Sequence, residues 1–296
     1  MSHTKKRKMK LKNIILKSIA YSFALCMVWS CNEDEGTDIG LANLNLVFED
    51  NFDGEAGQSI NTDVWNFDIG TGQNGWGNQE LQYYTDRPEN VSLDGEGNMV
   101  ITARREVFQG SPFTSARINT KDKIEQKYGR FETRLKAPGG RGVWPAFWML
   151  GANIETEPDD DPATIAWPFV GEIDVLEMRG QEPFKSIGSI HGPGYSGGGA
   201  ISGEFDLVDD RFDAGFHVFT VDWTPDYIDY FIDGVRFNRI SKEDIPAGTD
   251  WVFDDQPFFV LLNVAVGGSF VGFPVDSTPL PQRMIVDYVR IYEIGE

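Results

Sequence analysis

Short runs of alternating apolar and polar residues recur along most of this chain, and almost none repeats at helical spacing. Met99-Val-Ile-Thr-Ala103, Gly129-Arg-Phe-Glu-Thr-Arg-Leu135, residues 216–223, 227–232 and 285–292 are runs of this kind, bounded by Gly, Pro, Asn and Asp. Side chains alternate faces along a strand, so these runs predict strands with one buried face. Asp233-Gly234 joins two of them as a tight hairpin turn. Residues 257–266, Pro-Phe-Phe-Val-Leu-Leu-Asn-Val-Ala-Val, are almost continuously apolar, which predicts a strand covered on both faces. An all-β domain over residues 44–296 follows, in its simplest form a sandwich of two packed antiparallel sheets whose long connections line a cleft. No internal repeat or linker divides it, and its length suits a single sandwich.

The first thirty residues break the pattern. Lys5, Lys6, Arg7, Lys8, Lys10, Lys12 and Lys17 precede an apolar run from Ser18 to Trp29, too short to span a membrane, and no acid appears. Residues 1–30 therefore read as an export signal. Val28-Trp29-Ser30-Cys31 is a loose lipobox that makes Cys31 the lipidated first residue of the mature chain, with ordinary secretion as the alternative. The acidic tract Asn32-Glu33-Asp34-Glu35 lies in a tether over residues 31–43, as in lipoproteins displayed on the outer membrane. Cys26 and Cys31 are the only cysteines, so the domain holds no disulfide. Loss of the leader takes the net charge from −20 to −27, which excludes nucleic acid and polyanions as partners and leaves a neutral polymer. The membrane is reached only through a lipid, and the domain is expected to be a monomer.

Chemistry concentrates at Gly171-Glu172-Ile173-Asp174-Val175-Leu176-Glu177-Met178. In a regular strand Glu172 and Asp174 share a face, while Glu177 would point into the layer that buries Ile173 and Val175, at high cost for a carboxylate. A bulge near Val175 or Leu176 returns Glu177 to the face of Glu172. Four effective steps put the two backbones about 13 Å apart, and leaning side chains narrow the carboxyl gap towards about 5 Å, as a retaining glycosidase needs. A solvated edge or a cation site are the bland alternatives; the flanking residues are too apolar for the first.

Sugars need aromatic platforms flanked by polar groups. Trp144-Pro-Ala-Phe-Trp148, Trp167-Pro168 and the stretch from Trp76 to Tyr84 offer them. Trp148, followed by Met149-Leu150, has the stronger claim to the core; Trp144 and Trp167, beside Pro and Gly, are the better candidates for exposure. His191 is placed on a neighbouring strand within reach of a carboxylate, and His217, in an alternating run, belongs to the core. No histidine pair has zinc-ligand spacing, and neither a Gly-x-Ser-x-Gly elbow nor a phosphate-binding glycine loop is present.

Trp76-Gly-Asn-Gln-Glu-Leu-Gln-Tyr-Tyr-Thr85, Ser115-Ala-Arg117, Tyr128-Gly-Arg-Phe131, Gly142-Val-Trp-Pro-Ala-Phe-Trp-Met-Leu150, Gly171 to Glu177, Asp255-Gln-Pro257 and Asn263-Val-Ala-Val-Gly-Gly268 together resemble the laminarinases of glycoside hydrolase family 16. The resemblance implies a β-jelly roll of two curved sheets with a cleft on the concave face. It implies Glu172 as nucleophile, Asp174 as assisting carboxylate and Glu177 as general acid/base. Asn78, Arg117, Trp144 and Trp148 match substrate-cleft positions, as do Trp167, His191, Gln256 and Asn263. The implied activity is endo-cleavage of β-1,3-glucans with retention and without a catalytic cofactor. A mixed-linkage glucanase, a galactanase and a non-catalytic glucan-binding surface lipoprotein are the alternatives. A structural calcium on the convex face is implied at Asn51, the Gly97 carbonyl and Asp287, with Asn51 standing where many relatives have Glu. The acidic segment 153–166 is longer than in the family pattern and would form one rim of the cleft.

Overall fold

The computed structural model describes residues 43–154 and 165–295. The leader, Cys31, the tether up to residue 42 and most of the acidic segment, residues 155–164, lie outside the described residues. All described elements belong to one compact unit, residues 38–296.

The chain forms strands β1 (Leu44–Asp50), β2 (Asn66–Asp68), β3 (Gln82–Tyr84), β4 (Val91–Leu93), β5 (Met99–Phe108), β6 (Ser111–Ser115), β7 (Arg117–Asn119), β8 (Glu125–Gln126) and β9 (Gly129–Lys136). The second half adds β10 (Val143–Gly151), β11 (Glu172–Glu177), β12 (Lys185–His191), β13 (Ile201–Asp206), β14 (His217–Trp223), β15 (Tyr227–Ile232), β16 (Val235–Ser241), β17 (Phe258–Val266) and β18 (Gln282–Ile294). One sheet runs β16-β15-β14-β9-β18-β5-β6-β3, with β1 on β18 and β4 on β5; the other runs β13-β12-β11-β10-β17-β7-β2, with β8 on β17. Every pair is antiparallel except β3–β6.

Alternation fills the space between the sheets. Phe131 and Leu135 of β9, Phe219, Val221 and Trp223 of β14, and Val286, Val289 and Ile291 of β18 meet Phe147 and Met149 of β10, Ile173 and Val175 of β11, and Val260, Leu262 and Val264 of β17 in one buried cluster. The continuous apolar run in β17 has a physical reason: all nine residues are buried. Its even positions face this core, while Phe259 and Leu261 pack under Leu150 and Val170, and Ala265 under Trp144 and Val271. Asp233 and Gly234 turn the β15–β16 hairpin at positive φ, 50° and 78°, the left-handed geometry these residues tolerate. His217 is a core residue, its Nδ1 2.7 Å from Asp233 Oδ2.

Candidate active site

The acidic strand β11 is bulged. Glu172 and Asp174 pair with Leu150 and Trp148 of β10, whereas Leu176 and Glu177 pair with Phe147 and Ala146, so Val175 has no opposite number. The β12 side shows the same slip, between the Asp174–Ser189 and Glu177–Ile187 pairs. Val175 and Leu176 both bury into the core, and Glu177 emerges on the face of Glu172 and Asp174. The apolar side chains of the strand thus drive three acids onto one surface.

That surface is laid out by register. Ala146 of β10 lies between Glu177 and Asn263 of β17, and Asn263 pairs with Arg117 of β7, which pairs with Asp68 of β2. Glu177, Asn263, Arg117 and Asp68 therefore form a row across the sheet, and at about 4.8 Å per strand Arg117 stands about 14 Å from β11. Its guanidinium lies 4.6 Å from the ring centre of Trp76 and 4.7 Å from that of Trp148, with Nε 2.7 Å from Asp68 Oδ2.

Around the acids, Trp167 donates its indole N–H to Glu172 Oε2 at 2.9 Å. His191, the cross-strand neighbour of Glu172, brings Nε2 to 3.0 Å from Asp174 Oδ2 and 3.7 Å from Glu172 Oε1. The Gly197 N–H donates to His191 Nδ1 at 3.0 Å, which places the proton of the neutral ring on Nε2, facing the carboxylates. Burial first, and then the Asp174 charge, pushes the Glu172 pKa up to about 7; His191, the Trp167 N–H and Arg117 pull it back. Burial and then Asp174 also raise Glu177 well above the ordinary carboxylate range. Against burial, which favours the neutral ring, Asp174 and the two glutamates raise His191 to about 9. The Gly197 bond works the other way, because a proton on Nδ1 would set two N–H groups face to face. A neutral ring with its proton on Nε2 accepts from Gly197 and faces the Asp174 carboxylate, and the ring acts in that form.

The matched cleft residues divide into two kinds. Trp167 is 43% exposed beside Glu172, and Trp148 is half-buried with its indole N–H donated to Asn263 Oδ1 at 2.8 Å. Trp144 is only 9% exposed, packed on Ala265, Val271 and Phe270. The roles expected for Trp144 and Trp148 from their neighbours in sequence are thus exchanged. All of Trp144, Ala146 and Trp148 face the cleft side of β10, but the loop carrying Phe270 covers Trp144. Asn78 is half-buried and directs its amide to Trp76 O and Glu80 Oε1. Gln256 gives both ends of its amide to backbone, donating to Val170 O and accepting from Asn153 N–H. It ties the turn that carries Trp167 to Asn153, just past the end of β10. Asp68 and Glu80 carried no signal of their own, although Glu80 sits inside a stretch singled out for its aromatics.

Glu172, Asp174 and His191 bring ligand-type atoms within 4.8 Å of one another. The Gly197 bond turns the protonated His191 nitrogen towards them, which opposes a cation. On the opposite side of the fold, a Cβ on Gly97 would lie 4.0 Å from the Asn51 carbonyl oxygen, so these two backbones adjoin. Asp287, however, is ion-paired with Arg134, and the Asn51 side chain accepts from Arg290. A calcium ion would meet two guanidinium groups here, and as arranged these residues do not fit it.

The family model of Glycosyl hydrolases family 16 matches residues 76–289, which span the cleft floor and all three acids. The chain belongs to glycosyl hydrolases family 16. Within family 16 it is 38% identical to a beta-glucanase of Rhodothermus marinus over 298 residues, 96% of each chain. The laminarinase catalytic domain of Thermotoga maritima MSB8, solved with cetyltrimethylammonium bromide, superposes with a TM-score of 0.78 at 42% identity, over 86% of this chain and 100% of that one. The laminarinase of Rhodothermus marinus gives 0.75 at 38% identity, over 86% of this chain and 99% of that one. The family 16 fold accounts for the two-sheet sandwich and for the acids on its outward face.

Proposed function

We propose that this protein is a retaining endo-acting glycoside hydrolase that cleaves β-1,3-glucosidic bonds of laminarin-type glucans. The observation that carries the reading is the bulged β11, which aligns Glu172, Asp174 and Glu177 on one face between an exposed Trp167 and a half-buried Trp148.

In the first step a Glu172 carboxylate oxygen bonds to the anomeric carbon. The bond from that carbon to the glycosidic oxygen breaks, and Glu177 supplies the proton that the leaving oxygen takes. Burial and the Asp174 charge keep this proton on Glu177. The Trp167 N–H donates to Glu172 and the His191 Nε2 faces it at 3.7 Å, and these neutral donors favour its anionic form. In the second step water gives its proton to Glu177, and its oxygen displaces Glu172 from the anomeric carbon. Two inversions leave the configuration retained.

The test is incubation with laminarin, lichenan and agarose, followed by product sizing and by proton NMR of the first anomer released. A ladder of β-anomeric oligosaccharides from laminarin is expected; products only from agarose, or a first product of α configuration, would overturn the reading. We also propose that the chain is exported and tethered through Cys31, so that palmitate labelling in the native host is abolished by Cys31→Ala. Calcium has no part in the chemistry. It gains a structural place only where Arg134 leaves Asp287, and a Tm that rises with calcium and loses that rise in Asp287→Asn is the result expected of such a site.

A further inference from the structure

Between residues 70 and 80 the chain makes an improbable loop. Asn74, Trp76 and Gln79 have φ of 52°, 53° and 62°, the left-handed region that costs a non-glycine residue of order 1 kcal/mol or more. Such a conformation persists only where the surroundings over-determine it. Glu80, which ends the loop, is the fixed point. Its Oε2 accepts from Gln82 Nε2 at 2.6 Å and from the Tyr84 O–H at 3.1 Å, and its Oε1 faces Asn78 Nδ2 at 3.5 Å. Gln82 is itself locked, fully buried with Oε1 accepting from the Val266 N–H.

Donors point towards this carboxylate along a longer line. The Trp148 indole donates to Asn263 Oδ1 at 2.8 Å, Asn263 Nδ2 donates to the Tyr84 oxygen at 3.2 Å, and Tyr84 gives its only proton to Glu80. Each bond sets the sense of the next. An ionised carboxylate can only accept, so Tyr84 must donate to it and offer a lone pair to Asn263; the Asn263 amide then has its carbonyl turned to an indole that can only donate. An amide in place of Glu80 can donate to Tyr84, reverse the hydroxyl and flip Asn263, which would set an NH2 group against the Trp148 N–H. Trp148 is also one of the two rings that enclose Arg117. The orientation of the cleft floor is thus set from a carboxylate whose oxygens are taken by Gln82, Tyr84 and Asn78.

We propose that Glu80 is a positioning residue for glucan binding: through Tyr84 and Asn263 it fixes the indole of Trp148, and through Asn78 it holds the loop carrying Trp76 over Arg117. The inference rests on the cleft reading above, but it concerns whichever glucan the enzyme cleaves. It places the effect in binding and not in bond breaking, because Glu172 and Glu177 hang from β11 and, among the described residues, no side-chain hydrogen bond joins either to this line.

The test uses the full mature domain with Glu80→Gln, Tyr84→Phe and the double variant, on the glucan that the unaltered enzyme cleaves best. In each folded variant KM is expected to rise about tenfold, the scale of one lost buried hydrogen bond, while kcat falls less than about threefold. The Trp148 indole N–H resonance shifts and its hydrogen exchange accelerates, which a purely scaffolding role for Glu80 would not produce. The double variant is no worse than the worse single, since both cut one line. Glucan binding to these variants in a Glu172→Gln background, followed by calorimetry, weakens by the same factor. A folded Glu80→Gln with unchanged KM and an unmoved Trp148 resonance overturns the proposal, as does additivity in the double variant; if Glu80→Gln does not fold, Tyr84→Phe decides by the same readings. Failure to cleave laminarin bears only on the substrate assignment, because the comparison is made on the preferred glucan.

Discussion

Two sets of buried carboxylates sit on opposite outward faces of this sandwich. On the first sheet, Asp229 of β15 and Asp222 of β14 are 2% and 4% exposed, and each is gripped by arginine. Arg239 meets Asp229 with two bonds of 2.6 Å, and Arg130 meets Asp222 with bonds of 2.7 and 2.8 Å. On the second sheet, Asp174 is 5% exposed, yet its near neighbours are two more acids and a histidine. The nearest guanidinium in that row, Arg117, is engaged by Asp68 and two indoles three strands away. Burial is equal, but the company differs. A bidentate arginine meets the charge of a buried carboxylate and holds structure, whereas burial and the Asp174 charge raise the pKa of both grouped glutamates. In the double displacement proposed above, it is the second arrangement that does the chemistry.

The largest effects should separate the two sets. Glu172→Gln is expected to lower kcat roughly 10^4-fold or more, the scale of losing a covalent nucleophile, with Tm and glucan affinity nearly unchanged. Glu177→Gln should cost about 10^2- to 10^4-fold on laminarin and far less on a glycoside whose leaving group needs no proton. Steady-state kinetics on purified variants would check both. Residual turnover of Glu172→Gln within about tenfold of the parent would break the contrast at its centre.

The cleft half of this contrast was legible in the chain. The period-two failure of Glu172 and Glu177 against an apolar background announced both the bulge and the shared face, because burying a charged side chain costs more than a lost ladder bond. The continuous run in β17 likewise foretold a strand covered twice. The fates of Trp144 and Trp148 were not legible: both face the same side of β10, and which one is roofed depends on Phe270, more than a hundred residues later. Gln256 matched a cleft position by motif, but its amide is spent on Val170 and Asn153, partners fixed only by the fold. Glu80 carried no mark distinguishing it from a surface acid until the donors aimed at it were in place.

A middle-sized effect tests the other half of the comparison. Asp229→Asn leaves Arg239 and Arg236 facing a neutral amide, and should destabilise the domain by about 2 kcal/mol, less than for a wholly buried pair because the arginines reach solvent. Thermal unfolding should show a Tm several degrees lower, while kcat at a permissive temperature stays within about twofold of the parent. A loss of activity without a loss of Tm would mean that the arginine-paired set also serves the reaction.

The smallest expected effect is the most diagnostic, because it concerns the coupling within the cleft set. After burial, the Asp174 charge is the leading cause that raises both Glu172, to about 7, and Glu177. The proposed mechanism needs Glu172 ionised and Glu177 protonated, so kcat/KM should fall on the acid side as Glu172 takes a proton and on the alkaline side as Glu177 loses one, the two limbs reporting apparent values of the pair. Asp174→Asn keeps the shape and removes the charge. Both pKa values should then fall, and both limbs should move towards acid, beyond whatever loss of rate accompanies them. His191 sharpens the reading: with Asp174 neutral, the ring loses the strongest of the carboxylates that favour its protonation and stays the neutral donor that the Gly197 bond requires. A pH profile that merely drops in height, with both limbs in place, would show that burial alone sets the proton affinities of Glu172 and Glu177, and that the grouping of acids on the bulged strand contributes geometry but no charge.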